Sequence, residues 1–146
     1  APAAEPERLA QVAALRNFQR DAGRDGGVLS GRSDSWPEGD ASPPWPHASI
    51  LLGDFNMTPN ETAYTALVGP TDPKYGRITE HDSYLDAWIH TGGAPDGGHT
   101  KFETTGNRRI DYAFISPGLG DAVRSVWGDK AAQGSDHQPL WLEIDL

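Results

Sequence analysis

The sequence has no cysteine. That excludes disulfides, thiolate metal sites and cysteine nucleophiles together, and leaves the redox compartment open. No stretch approaches the roughly 18 apolar residues that a bilayer-crossing helix needs. No basic start followed by an apolar run is visible at the N-terminus, so no signal peptide is expected. Positive charge is scarce: 12 Lys and Arg stand against 21 Asp and Glu, a formal net charge of -9. An acidic chain does not attract a polyanion over long range, which argues against extended nucleic acid as a partner. A small phosphate-bearing substrate stays compatible where a cation locally reverses the field. Most of the acids serve a soluble surface. There is no internal repeat.

What is present describes one globular unit. The 146 residues suffice for one domain and one core, and 36% apolar with 23% charged residues places the chain outside the disordered class. Glu5 to Ala22 carries apolar residues at helical spacing (Leu9, Val12, Leu15, Phe18), and Gly23 follows as a stop. Residues 23–48 are rich in Gly, Ser, Asp and Pro, with Pro43, Pro44 and Pro46 close together, and read as a long loop or insertion. Ser49 to Leu52 reads as a buried strand. Thr58, Pro59 and Glu61 form a helix start with a capping box, and the helix should end near Val68, before Gly69-Pro70.

Residues 70–82 are turn-like, Tyr84 to Ile89 fits either a helical turn or a strand, and Thr91 to Gly98 is a glycine-rich loop. Arg109 to Ser116 alternates, with Ile110, Tyr112 and Phe114 on one face and Asp111, Ala113 and Ile115 on the other. Val123 to Trp127 is a further strand. In the last strand Leu140, Leu142, Ile144 and Leu146 point inward, and Glu143 and Asp145 outward. The fold class is α+β.

Three acids stand out by position. Asp54 follows a strand, Asp111 lies within one on an otherwise apolar face, and Asp136 precedes the last. A carboxylate on an apolar face is costly without a partner. If the strands are neighbours, the three acids converge and need a cation, a histidine or a shared proton. His137 can neutralise one, and a hard metal ion can satisfy the others through oxygen ligands. Asn56 adds an uncharged donor for a phosphoryl oxygen. This set suits hydrolysis of a phosphate ester. Taken singly, each piece is as well explained by an ordinary turn next to a strand; the combination is not.

The order of these pieces resembles a known family. Gly53-Asp54-Phe55-Asn56 is similar to the GDFN motif of the endonuclease/exonuclease/phosphatase family, Arg109-Ile110-Asp111-Tyr112 to its RIDY strand, and Ser135-Asp136-His137 to its terminal SDH motif. The resemblance implies a DNase I-like, four-layer α/β/β/α sandwich, of which residues 1–146 would form the C-terminal half. It implies that Asp54 orients the attacking water or manages the leaving-group proton, and that Asn56 holds a phosphate oxygen. Asp111 would orient His137, and His137 would act as general base or phosphate contact. Asp136 and Asp54 would bind Mg²⁺ or Mn²⁺. No segment before Ser49 matches the family's first-half motifs, which supply an asparagine and a glutamate ligand. The expected partner is therefore that missing half, and this chain alone is expected to lack part of the site.

Weaker candidates remain. His99, Thr100 and Lys101 lie where the family often has a substrate-facing loop, and Arg108 and Arg109 can reach a phosphate unless they are simply solvated. Trp36 and Trp45, in the long loop, are candidates for stacking on a substrate; Trp88, Trp127 and Trp141 are expected in the core. His81, His90 and His99 fit no zinc spacing. A non-catalytic binding relative would have lost a motif residue, yet Asp54, Asn56, Asp111, Asp136 and His137 are all present. The motifs are shared by enzymes acting on DNA, RNA, lipid headgroups, inositol phosphates and nucleotide-linked molecules, and do not select among these.

Overall fold

A computed structural model describes residues 4–25 and 47–145. The chain order is α1 (Glu5–Asp25), β1 (Ile50–Asp54), α2 (Thr62–Val68), β2 (Thr71–Asp72), β3 (Gly76–Arg77), β4 (Leu85–Asp86), α3 (Ala87–His90) and β5 (Asp111–Ile115). A 3-10 helix (Pro117–Ala122), β6 (Val123–Gly128) and β7 (Leu140–Ile144) complete it. Helices mix with antiparallel sheet, an α+β arrangement. Among the described residues no helix is long and apolar enough to cross a membrane.

The central sheet runs β1-β5-β4, all antiparallel. Its register pairs Ile50 with Ile115, Leu52 with Ala113 and Asp54 with Asp111. The two-residue period of the strands sends alternate side chains to opposite faces, and two apolar clusters result. On one face Tyr112, Phe114, Leu51 and Phe55 meet Val12 and Leu15 of α1 and Ala63, Tyr64, Leu67 and Val68 of α2. The rings of Tyr112 and Phe114 stack at 4.8 Å, and Phe55 meets Phe114 edge-on at 4.9 Å. On the other face Ala113, Ile115, Ile50 and Leu85 pack with Ala87 of α3 and with Val126, Leu140 and Leu142 of the β6–β7 pair.

Several expectations shift in detail. Helix α1 runs past Gly23 to Asp25. Gly23 lies against the His47 ring, and a Cβ there would sit 2.0 Å from it unless the exposed imidazole moved. Glu61 accepts from the Thr58 amide at 3.0 Å, one half of the expected capping box, but residues 59–61 form a turn and α2 begins at Thr62. The turn-like 70–82 segment contains the short β2–β3 pair, whose turn is closed by Asp72 accepting from the amides of Lys74 and Tyr75. Tyr84 to Ile89 proves to be both alternatives in succession. Leu85–Asp86 is strand, and the Asp86 carboxylate then caps α3 by accepting from Trp88 N at 3.1 Å.

The core assignment of the tryptophans needs correction. Trp88 is half-buried against the second cluster, but Trp127 and Trp141 are 43% and 53% exposed. They face each other across the β6–β7 register and stack at 6.2 Å on the outer side, opposite Val126 and Leu142. Leu140, Leu142 and Ile144 do point inward and Glu143 and Asp145 outward, whereas Leu146 lies outside the described residues. So do Trp36, Trp45 and most of the long loop at 23–48.

Candidate active site

The register of β1 against β5 builds the site. Asp54 ends one strand, Asp111 begins the next, and the two are directly paired. Two carboxylates at one sheet edge repel unless they find partners. Asp111 has three. His137 Nδ1 lies 2.8 Å from its Oδ2, Thr100 Oγ1 donates to the same oxygen at 2.5 Å, and the Asp111 amide donates back to Thr100 Oγ1 at 3.1 Å. Thr100 is fully buried. Its rotamer is fixed on both sides, so the Asp111 carboxylate is held before anything binds.

His137 is placed by the segment before β7. The Gln138 amide donates to Thr100 O at 2.6 Å, and the His137 amide donates to Ser135 Oγ at 3.1 Å. Lys101 and His137 form an antiparallel bridge. Lys101 Nζ then reaches His137 Nε2 at 3.2 Å and Asp136 Oδ2 at 3.1 Å. The hydrogen bond to Asp136 raises the Lys101 pKa above its ordinary value, and the same bond lowers that of Asp136. The ring is thus held from both sides, with Nδ1 facing Asp111 and Nε2 facing the Lys101 ammonium group.

Asp54 is exposed and lies on the opposite strand from this dyad. Its Oδ1 accepts from the Asn56 amide at 2.8 Å, which folds the chain back after β1. Asn56 holds φ at 50°, a left-handed conformation that asparagine tolerates better than most residues. Gly53, at φ 146°, occupies a conformation closed to other side chains. Asn56 itself is exposed.

One carboxylate oxygen each from Asp54 and Asp111 and one ring nitrogen of His137 lie within 4.8 Å of one another. Among the described residues no other group of three acidic or histidine ligands is so placed. The two carboxylate oxygens are hard donors of the kind a divalent cation accepts, while the His137 ring nitrogens already face Asp111 and Lys101. Asp136 is outside this group: its side chain is 72% exposed and paired with Lys101. His99 is half-buried in the loop before Thr100.

Arg109 sits beneath the surface, 4% exposed, with Nη1 paired to Asp86, which also accepts from Tyr64 OH at 2.7 Å. Its guanidinium lies over the Tyr112 ring at 4.9 Å. In this position it lies against the core under the site, and the Thr100 hydroxyl is engaged by Asp111. Asp86 is the residue that sequence reasoning passed over. Its only signal was a second acid inside an ambiguous apolar segment.

A large cleft of about 880 Å³ opens at Asp54 and Asn56 and extends along α1 past Arg8, Val12 and Leu15, with Arg108 on its rim. The acid pair, with His137 hydrogen-bonded to Asp111, thus lies at the mouth of a cleft, open to solvent on the Asp54 side. Among curated proteins no match to the chain is found. Residues 14–137, which include all three motifs, match the Endonuclease/Exonuclease/phosphatase family, and the chain belongs to that family.

Proposed function

We propose that the chain carries the catalytic dyad and part of the metal site of a divalent-metal-dependent phosphoesterase, which hydrolyses a phosphodiester or phosphomonoester with activated water. The observation that carries this reading is the convergence of Asp54, Asp111 and His137, three residues from three separate motifs, within 4.8 Å. In this mechanism Asp111, held by Thr100, keeps the His137 ring oriented and its Nδ1 proton in place. Nε2 is then free to accept a proton from water or to contact a phosphoryl oxygen once Lys101 turns to the substrate. Asp54, exposed at the strand end, orients the water or manages the leaving-group proton. Asn56 donates to a phosphate oxygen.

Mg²⁺ or Mn²⁺ held by Asp54, with Asp136 or the Asp111–His137 pair beside it, would neutralise charge on the phosphate and lower the pKa of water. Three protein atoms do not fill the six positions of Mg²⁺. We therefore propose that further ligands come from another half of the domain, in the four-layer α/β/β/α arrangement. Exposed apolar surface at Leu52, 64% accessible beside the site, is compatible with such a neighbour.

The test is hydrolysis of bis(p-nitrophenyl) phosphate by this chain, alone and preceded by its upstream segment, with Mg²⁺, with Mn²⁺ and in EDTA. Activity should depend on the metal, and His137→Ala should lower the rate at least about a hundredfold. Full activity in EDTA, or unchanged turnover in the variant, would reject the mechanism.

A further inference from the structure

Beside the catalytic cleft lies a second cavity of about 460 Å³, reached across Arg108, which lines both. Its walls come from the segments that also supply the site: Thr58 to Asn60 just after Asn56, His99 just before Thr100, and Asn107 to Arg109 just before Asp111. The lining is cationic in a molecule that is not. Arg77, Arg108 and Arg109 line it with one acid, Asp96; Arg108 pairs with Glu103 and Arg109 with Asp86, and the whole chain carries a net charge of -9.

Two of these arginines are not fully matched. Arg109 spends Nη1 on Asp86, but its Nε and Nη2 are buried with no hydrogen-bond partner. Arg77 donates to Gly69 O at 2.6 Å, a neutral carbonyl, and no carboxylate pairs with it among the described residues. Both guanidiniums converge on one ring, lying 5.5 Å and 6.0 Å from the centre of Tyr64. Two like charges brought to one aromatic ring, with a single carboxylate committed to one of them, leave a site that an anion would satisfy. The amides of Asn60 and Asn107 and the His99 ring add neutral hydrogen-bonding groups around it.

We propose that this cavity is a phosphate subsite, and that it takes a phosphate of the substrate other than the one cleaved. The first statement stands on the cavity alone; the second rests on the phosphoesterase reading. The preferred substrate would then carry two phosphates, the scissile ester at Asp54 and His137 and the second beyond Arg108. Arginine suits the task because its planar fork matches phosphate oxygens in pairs.

The first experiment measures binding of inorganic phosphate by calorimetry in EDTA, so that no metal or turnover enters. Arg77→Gln should weaken binding about tenfold or more, the loss of one charge-assisted contact. Asn107→Asp, at an exposed position that places an acid in the cavity, should do the same, and His137→Ala should leave binding intact. Binding lost in His137→Ala but kept in Arg77→Gln would put phosphate at the catalytic cluster and overturn the proposal. So would no binding at all.

The second experiment compares the p-nitrophenyl ester of thymidine 5′-phosphate with the same ester bearing an added 3′-phosphate. Arg77→Gln should raise KM for the second about tenfold and leave the first unchanged. Equal KM values for both in the unsubstituted chain would remove the second-phosphate role. If neither ester is hydrolysed with Mg²⁺ or Mn²⁺ and the other half of the domain present, while phosphate still binds through Arg77, the phosphoesterase reading fails and the subsite stands.

Discussion

Thr100 shows what a single buried hydroxyl contributes. It donates to the Asp111 carboxylate and accepts from the Asp111 amide, and it has no exposure to solvent. Its work is to hold the group that holds His137. Thr100→Val keeps the volume and removes both bonds. We expect kcat to fall about ten- to a hundredfold, the usual effect of losing an outer partner of a site, with KM little changed. A KM rise at constant kcat would mean that Thr100 touches substrate instead. The threonine was legible in the sequence as a candidate by loop position, and the structure sets its hydroxyl against Asp111. Loop position says that a residue is near a site; only the distance to Asp111 says which way it faces.

At the scale of the element, α1 is held to the rest of the domain by charge as well as by Val12 and Leu15. Arg16 donates to Ala66 O at 3.0 Å and pairs with Glu80 and Asp82. Burial pushes the Asp82 carboxyl upward, but the Arg16 hydrogen bond and charge outweigh it and hold the group below the ordinary aspartate range. The folded value is therefore lower than the unfolded one. The stabilisation is complete above the unfolded value, about pH 4, and is lost as pH falls through the folded value. Arg16→Met should cost stability at neutral pH, and the gap between variant and parent should close toward about pH 2. Urea midpoints across that range check it; a gap independent of pH would assign the loss to packing. Periodicity alone placed this helix, because apolar spacing is a local property. It could not place Arg16 against Asp82, which is 66 residues away.

For the whole molecule, the expected consequence of two acids meeting across the sheet is sensitivity to cations. Asp54 and Asp111 are neighbours across the sheet in a chain of net charge -9. A divalent ion that binds the folded site and not the unfolded chain should raise Tm with concentration, by several degrees at about a hundred times its Kd. Asp54→Asn should flatten that response. An identical rise in the variant would mean that the ion acts elsewhere.

The sequence by itself determined the α+β class, most strands, the inward side of β7 and the three motifs that mark the family, because alternation, turn chemistry and motif spacing are written within a few residues. Tertiary structure decided the rest. It set which acids meet, giving Asp54 with Asp111 and leaving Asp136 to Lys101. It also put Trp127 and Trp141 on the outside, since β6–β7 buries only its Val126–Leu142 face. The physical reason is common to both: strand register and layer order bring together residues far apart in the chain, and no local pattern encodes which partner a side chain will meet.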